Sequence, residues 1–206
     1  MSLRDRKVAR TREAIVAAAL ELFAEQGYER TSVAQIAERA EIGPRTFFRY
    51  FADKQEVLFG GTEDTVELIV ATLAPAHPDE PPAHAAVRAA RAVLDRLGQL
   101  AEVVPVRERI VASTPALQAR TLLKYARYAE VVRTELVGRH GLPAERAAVL
   151  SAVMLTCART AYESWCADDP PLGSLPDRFD RVLELAAADL APFGLSSPAP
   201  RTPRCG

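Results

Sequence analysis

A chain of 206 residues, 49% hydrophobic and 26% charged, has the balance of a globular protein, which excludes collagen-like, mucin-like and largely disordered classes. It is long enough to bury a core without disulfides or metals, and its formal net charge of −1 excludes a nucleic-acid coat protein. Three cysteines (Cys157, Cys166, Cys205), a polar N-terminus (MSLRDRKVARTR) and the lack of an uninterrupted apolar run of roughly 18 residues predict a soluble protein of the reducing cytoplasm.

The charge is uneven. Residues 1–12 carry Arg4, Arg6, Lys7, Arg10 and Arg12 against the single acid Asp5, a cationic arm on a near-neutral chain. Lysine occurs only at positions 7, 54 and 124, and arginine supplies the other 23 basic residues.

Helical periodicity runs along almost the whole chain. Ile15, Ala19, Leu22 and Phe23 share one face of a helix over about 8–26, which Gly27 ends. Val33, Ile36, Ala37 and Ala40 mark a short second helix, started by Ser32 and Gln35 in capping-box spacing. Gly43-Pro44 opens a third, because proline tolerates the first turn where its missing N–H is not needed. A fourth is expected from Lys54 to about Thr72. The proline-rich PAHPDEPP at 75–82 must be loop. Further helices are expected at about 83–103, 105–114, 116–140, 144–168 and 175–192, the last capped by Ser174, before a Pro- and Ser-rich tail at 195–206 that is expected to be disordered. No strand pattern and no repeat is present. The reading is an all-α protein of about nine helices, with an N-terminal three-helix unit at 1–54 and a helical domain at 55–194.

The three short helices have helix-turn-helix spacing over about 32–51. In the third, Phe47 and Phe51 face one way for packing, while Arg45, Thr46, Arg49 and Tyr50 lie on the other sides. Arginine can bind guanine O6 and N7 together, and a threonine methyl can meet a thymine methyl. Ser32 and Lys54 bracket the unit and can hold phosphates.

At these residues the chain resembles the N-terminal DNA-binding domain of the TetR (tetracycline-repressor-type) family of bacterial transcription regulators. The resemblance runs without a gap from Thr11 to Leu58. It is carried by Ala18-Ala19 with Leu22-Phe23, Gly27-Tyr28, Thr31-Ser32-Val33, Ile36-Ala37 and Thr46-Phe47-Phe48-Arg49-Tyr50-Phe51 with Lys54. The RTFFRYF form is similar to an actinobacterial branch. The resemblance implies a DNA-contacting set of Arg12, Thr31, Ser32, Gln35, Gly43, Pro44, Arg45, Thr46, Phe48, Arg49, Tyr50 and Lys54, with the basic arm reaching an adjacent backbone or minor groove. Three residues depart from the family's pattern. Glu41 stands where the inter-helix turn usually has glycine, a position of positive φ that strains any other residue. Gly43 replaces a frequent capping serine, and Phe48 a usual tyrosine.

The resemblance also implies a homodimer, a small-molecule effector held in the larger domain, and repression as the usual outcome. The expected dimer interface is the pair of helices at about 144–168 and 175–192, through faces that mix Ala147, Ala158, Ala161 and Ala186 with Leu150, Leu183 and Trp165. Candidate effector-binding residues are Tyr125, Tyr128, Met154, Cys157, Tyr162 and Trp165, whose rings and flexible thioether suit an apolar or acyl-type (acyl-CoA-like) molecule, with Arg107, Arg109 and Arg159 for an anionic head. No P-loop, GxSxG or dinucleotide fingerprint is present, and His77, His84 and His140 have no metal-ligand or acid–base partner at useful spacing. No catalytic residue, metal or cofactor is therefore expected. Two other readings stay open from sequence: a protein-binding adaptor with a degenerate helix-turn-helix, which loss of DNA binding through Glu41 would favour, and an uncharacterised helical enzyme.

Overall fold

The computed structural model describes residues 3–74, 77, 79–168 and 173–190, so the expected tail and Cys205 lie outside the described residues. Among the described residues there is no strand, and ten helical segments follow one another: α1 Leu3–Gln26, α2 Val33–Arg39, α3 Pro44–Tyr50, α4 Glu56–Phe59, α5 Thr62–Leu73, α6 Pro82–Gly98, α7 Val104–Ala112, α8 Pro115–His140, α9 Ala144–Ala167 and α10 Leu175–Leu190. The expected all-α class holds, with two differences. The cationic arm is not a separate segment: α1 begins at Leu3, because nothing in the first turns breaks a helix. The expected fourth helix is split at Gly60-Gly61 into the single turn α4 and the longer α5.

Local chemistry explains the boundaries of the first three helices. Gly27, at φ 85°, ends α1 by donating its N–H to the Phe23 carbonyl at 3.0 Å. Ser32 and Gln35 form the expected capping box on α2. After α2 the Ile42 amide donates to Ala37 and the Glu41 amide to Glu38, a Schellman closure that places Glu41 at φ 54°. This is the left-handed conformation in which a Cβ costs about 1–2 kcal/mol. Glu41→Gly is therefore expected to stabilise the protein by about 0.5–1 kcal/mol, the larger unfolded-state entropy of glycine offsetting part of the relief. Thermal melting checks this, and an unchanged or lower Tm would contradict it.

Three apolar clusters form the core. The first joins Ile15, Ala19, Leu22, Phe23, Ile36, Phe47, Phe51, Val57 and Leu58 of α1–α4 and takes in Ile110 and Val111 of α7 and Leu117 of α8. Packing therefore crosses the boundary expected at 54/55, and α7 is built into the core of the N-terminal head. The second cluster joins α6, α9 and α10 around Trp165 and Phe179, and the third joins α5, α6, α8 and α9 around Leu73, Leu136 and Ala147.

The faces of α9 and α10 expected to form the dimer are the protomer's own core. Ala147, Ala161 and Trp165 are buried, and Leu150, Ala158, Leu183 and Ala186 pack against them. The exposed large apolar residues described on these helices, Val149 and Leu185, lie on other faces. The expected Ser174 cap on α10 is present, its hydroxyl accepting from the Asp177 amide at 3.3 Å.

Candidate nucleic-acid interface and enclosed cavity

Helix α3 is held from beneath. Phe47 and Phe51 are buried, and their rings lie 5.8 Å apart. With those two side chains inside, the helix period turns Arg45, Phe48 and Arg49 outward, and all three are exposed. Thr46 and Tyr50 are half-buried at the flanks, Tyr50 lying 5.2 Å beneath the Arg49 guanidinium. Phe48 is the unusual member: a whole aromatic ring, 57% exposed, on a helix otherwise carrying polar groups. Ser32, Gln35, Gly43 and Pro44 are also exposed. The Gln35 carbonyl oxygen accepts from the Ser32 amide at 2.8 Å, which fixes that side chain at the start of α2. Arg6, Lys7 and Arg10 on α1 line a shallow groove against Ala40 and Ile42, which lie between α2 and α3.

Three members of the implied DNA-contacting set are turned inward and engaged within the protein. Thr31 is buried, and its hydroxyl donates to the Gly27 carbonyl at 2.9 Å. The Lys54 ammonium donates to the carbonyls of Tyr28 at 2.9 Å and Thr31 at 3.0 Å and lies over the Tyr28 ring, so it ties the end of α3 to the α1–α2 turn. Arg12 donates to the Gly60 carbonyl at 2.6 Å and lies 5.4 Å from the centre of the Phe51 ring. Each side chain satisfies backbone acceptors that would otherwise be left open at a turn.

Gly60 is needed for this last contact. A Cβ there would come within 2.7 Å of the Arg12 guanidinium and 2.9 Å of the Glu56 carbonyl. The expected fourth helix is interrupted at this point, α4 ending at Phe59 and α5 beginning at Thr62.

Behind the Gly60-Gly61 junction, α4–α9 line a partly open cavity of about 180 Å³. Five of the nine candidate effector residues line it: Arg107, Tyr125, Tyr128, Arg159 and Tyr162. Arg109, Met154, Cys157 and Trp165 do not line it; the last three belong to the second and third clusters, one helix face away on α9. Burial pushes the Cys166 thiol up to about 11, assisted by Glu108, and pushes the Cys157 thiol up as well, so neither is a ready thiolate. Within the cavity Arg107 donates to the Tyr162 hydroxyl at 2.9 Å, and that hydroxyl donates to Glu108 at 2.9 Å. Burial raises the Tyr162 and Tyr125 phenols, keeping both protonated.

The sequence reading missed Lys124, which also lines the cavity. Burial, with Arg107 nearby, pushes its ammonium down to about 8. A signal was present: it is the only lysine after position 54 in a chain that otherwise uses arginine.

Comparison with known proteins agrees with this architecture. Residues 15–59 match the tetR family of bacterial regulatory proteins, and residues 80–191 match the MftR C-terminal domain. The chain is similar to the HTH-type transcriptional regulator TcmR of Streptomyces glaucescens, 35% identical over 91% of this chain and 88% of that protein. It is also similar to a putative mycofactocin biosynthesis transcriptional regulator, MftR, of Mycobacterium tuberculosis, 30% identical over 84% of this chain and 87% of that one. Among solved structures, a putative TetR-family transcriptional regulator from Syntrophomonas wolfei superposes with a TM-score of 0.61 at 19% identity, covering 91% of this chain and 97% of that chain. Native NalD, the secondary repressor of the MexAB-OprM multidrug efflux pump in Pseudomonas aeruginosa, superposes with a TM-score of 0.60 at 20% identity, covering 86% and 95%. These two likenesses concern the fold; the sequence matches carry the family. The head built on α1–α3, the helical body behind it and relatives that match nearly end to end make this chain a member of the TetR family of bacterial transcriptional regulators.

Proposed function

We propose that the chain is a repressor that binds a palindromic operator as a dimer and is released by a small apolar or acyl-type effector. The observation that carries the reading is α3, anchored by Phe47 and Phe51 and presenting Arg45, Phe48 and Arg49 outward. Arg45 and Arg49 supply forked donors for guanine, and Phe48 an apolar surface for thymine methyls. Ser32, Gln35, Gly43 and Pro44 surround them for phosphate contacts, and Arg6, Lys7 and Arg10 extend the cationic surface. Thr31, Lys54 and Arg12 support the head from within and act on DNA only through its shape.

Dimerisation is assigned to the outer faces of α9 and α10, around Val149 and Leu185. A twofold pair places its reading helices one duplex turn apart, about 34–36 Å.

Two rigid links support release by an effector. Phe59, Gly61 and Thr62 are cavity wall, and the Gly60 between them receives Arg12 of α1, which lies over Phe51 at the end of α3. Helix α7 puts Arg107 in the cavity and, one turn on, Ile110 and Val111 in the core of the head. An occupant that favours a different spacing of these walls shifts the head by its differential affinity for the two arrangements.

Selection of duplexes from a random library by the full chain tests the reading. It is expected to enrich paired, inverted half-sites, and recovery of unenriched sequence would overturn it.

A further inference from the structure

The cavity carries a charge pattern that a neutral apolar effector does not explain. Four cationic side chains line it, Arg96, Arg107, Lys124 and Arg159, and no carboxylate does. Three of the four have partners in the protein. Arg96 faces Asp64 at 3.5 Å, Arg159 faces Glu163 at 3.7 Å, and Arg107 holds the Tyr162 hydroxyl at 2.9 Å. Lys124 differs. Its ammonium lies 4.8 Å from the centre of the Tyr125 ring and 5.8 Å from that of Phe59, and among the described residues it has no hydrogen-bond or ion-pair acceptor.

The carboxylates within reach on the outer side of α8 are taken. Glu56 pairs with Arg120 at 3.6 Å and Glu63 with Arg127 at 2.7 Å. Lys124 is half-buried, with Glu108 near enough to act on it electrostatically but bonded to the Tyr162 hydroxyl, and an ammonium in such partly apolar surroundings without a direct acceptor is costly to keep. Ring faces recover part of that cost, but they do not supply the acceptor that a charged N–H donor needs.

From this we infer that the effector is an organic acid, an apolar or aromatic body carrying one anionic group that seats on Lys124 beside Arg107. The inference rests on the cavity being the effector site and goes further by fixing the ligand's charge. The cavity's apolar lining, Leu58, Phe59, Leu68, Leu94 and Leu155 among others, takes the body of the molecule. Lys124 supplies the charge-assisted contact, and the Arg107–Tyr162–Glu108 chain holds the second cation in place beside it. With Glu56 and Glu63 paired to Arg120 and Arg127, a neutral isostere leaves the ammonium without a charged acceptor and is discriminated against.

Two ligands with the same aromatic body, small enough for the cavity and followed by titration calorimetry, separate the possibilities: 1-naphthoate, which is anionic, and 1-naphthamide, its neutral isostere. With the full chain at pH 7 the anionic probe is expected to bind about ten- to a hundredfold more tightly, the usual range for a charged hydrogen-bonded contact. Lys124→Met, which keeps the length and removes the charge, is expected to bring the two affinities within about threefold by weakening only the carboxylate. Lys124→Arg is expected to keep most of the preference, and the cooperativity of melting confirms that each variant is folded. Equal affinities in the natural chain overturn the inference and leave the effector site standing, and so does a preference that survives in Lys124→Met. Failure of both probes to bind overturns the inference and the effector reading together.

Discussion

A chain carrying Val149→Glu and Leu185→Glu is expected to run as a monomer and to bind operator about 10²–10⁴-fold more weakly than the natural chain, with its own fold intact. Val149 and Leu185 are 65% and 57% exposed in the protomer, so a carboxylate at either position costs the protomer little. In a dimer packed through the outer faces of α9 and α10 the same carboxylates would be buried and unpaired, opposite like charges from the second copy. One head alone makes few contacts. Joining two makes the second binding event intramolecular, and that advantage disappears when the pair separates. Mass by light scattering and operator binding by anisotropy, with melting as the control, decide the matter. A stable dimer in the double variant would place the interface elsewhere. A monomer with undiminished affinity would remove dimerisation from the mechanism.

Arg45→Ala is expected to weaken binding to the selected operator by about 1–3 kcal/mol, roughly 5- to 150-fold, while binding to random duplex changes far less. Arg45 is exposed at the start of α3, next to the Gly43-Pro44 cap, where a side chain projects from the N-terminal end of a helix entering the groove. A base-edge contact is lost only where the right base is present, so the variant should also accept substitutions at the corresponding operator position. Lys54 makes the contrast. Its ammonium is spent on the Tyr28 and Thr31 carbonyls, so its removal should loosen the head and lower its melting temperature without relaxing sequence preference. An equal loss on both duplexes for Arg45→Ala would assign that side chain to phosphate.

The head was legible because its instructions are local. The Ser32–Gln35 capping box, the Gly43-Pro44 start and the four-residue spacing of Phe47 and Phe51 each specify a geometry within one helical turn, and the structure follows all three. The strained turn was legible too, since a residue standing where glycine is usual forecast the positive φ of Glu41. The side chains that turned inward were not. Arg12 and Thr31 sit in a recognisable motif, but their acceptors are carbonyls at Gly60 and Gly27, and no periodicity announces a carbonyl.

The body was harder for a different reason. On α9 the residues 154, 157 and 165 are as apolar as 155, 158 and 162, and helical spacing separates the two sets by one face without saying which meets a neighbour and which meets a cavity. The same ambiguity applies to the expected dimer faces of α9 and α10, where Ala147, Ala161 and Trp165 are buried in the protomer while Leu150, Ala158, Leu183 and Ala186 are half-buried. The insertion of α7 into the head depends on contacts between Ile110 or Val111 and residues far away in the chain, which only the assembled fold displays.

The central claim is that α3 reads base edges, and the most direct measurement is a titration of the selected operator and a scrambled duplex of equal length with the full chain at two salt concentrations. An affinity ratio of about 10³ or more is expected at physiological salt, in the range of specific binders, with both affinities falling as salt rises and the preference for the operator persisting. Indistinguishable affinities for the two duplexes at both salt concentrations would contradict it.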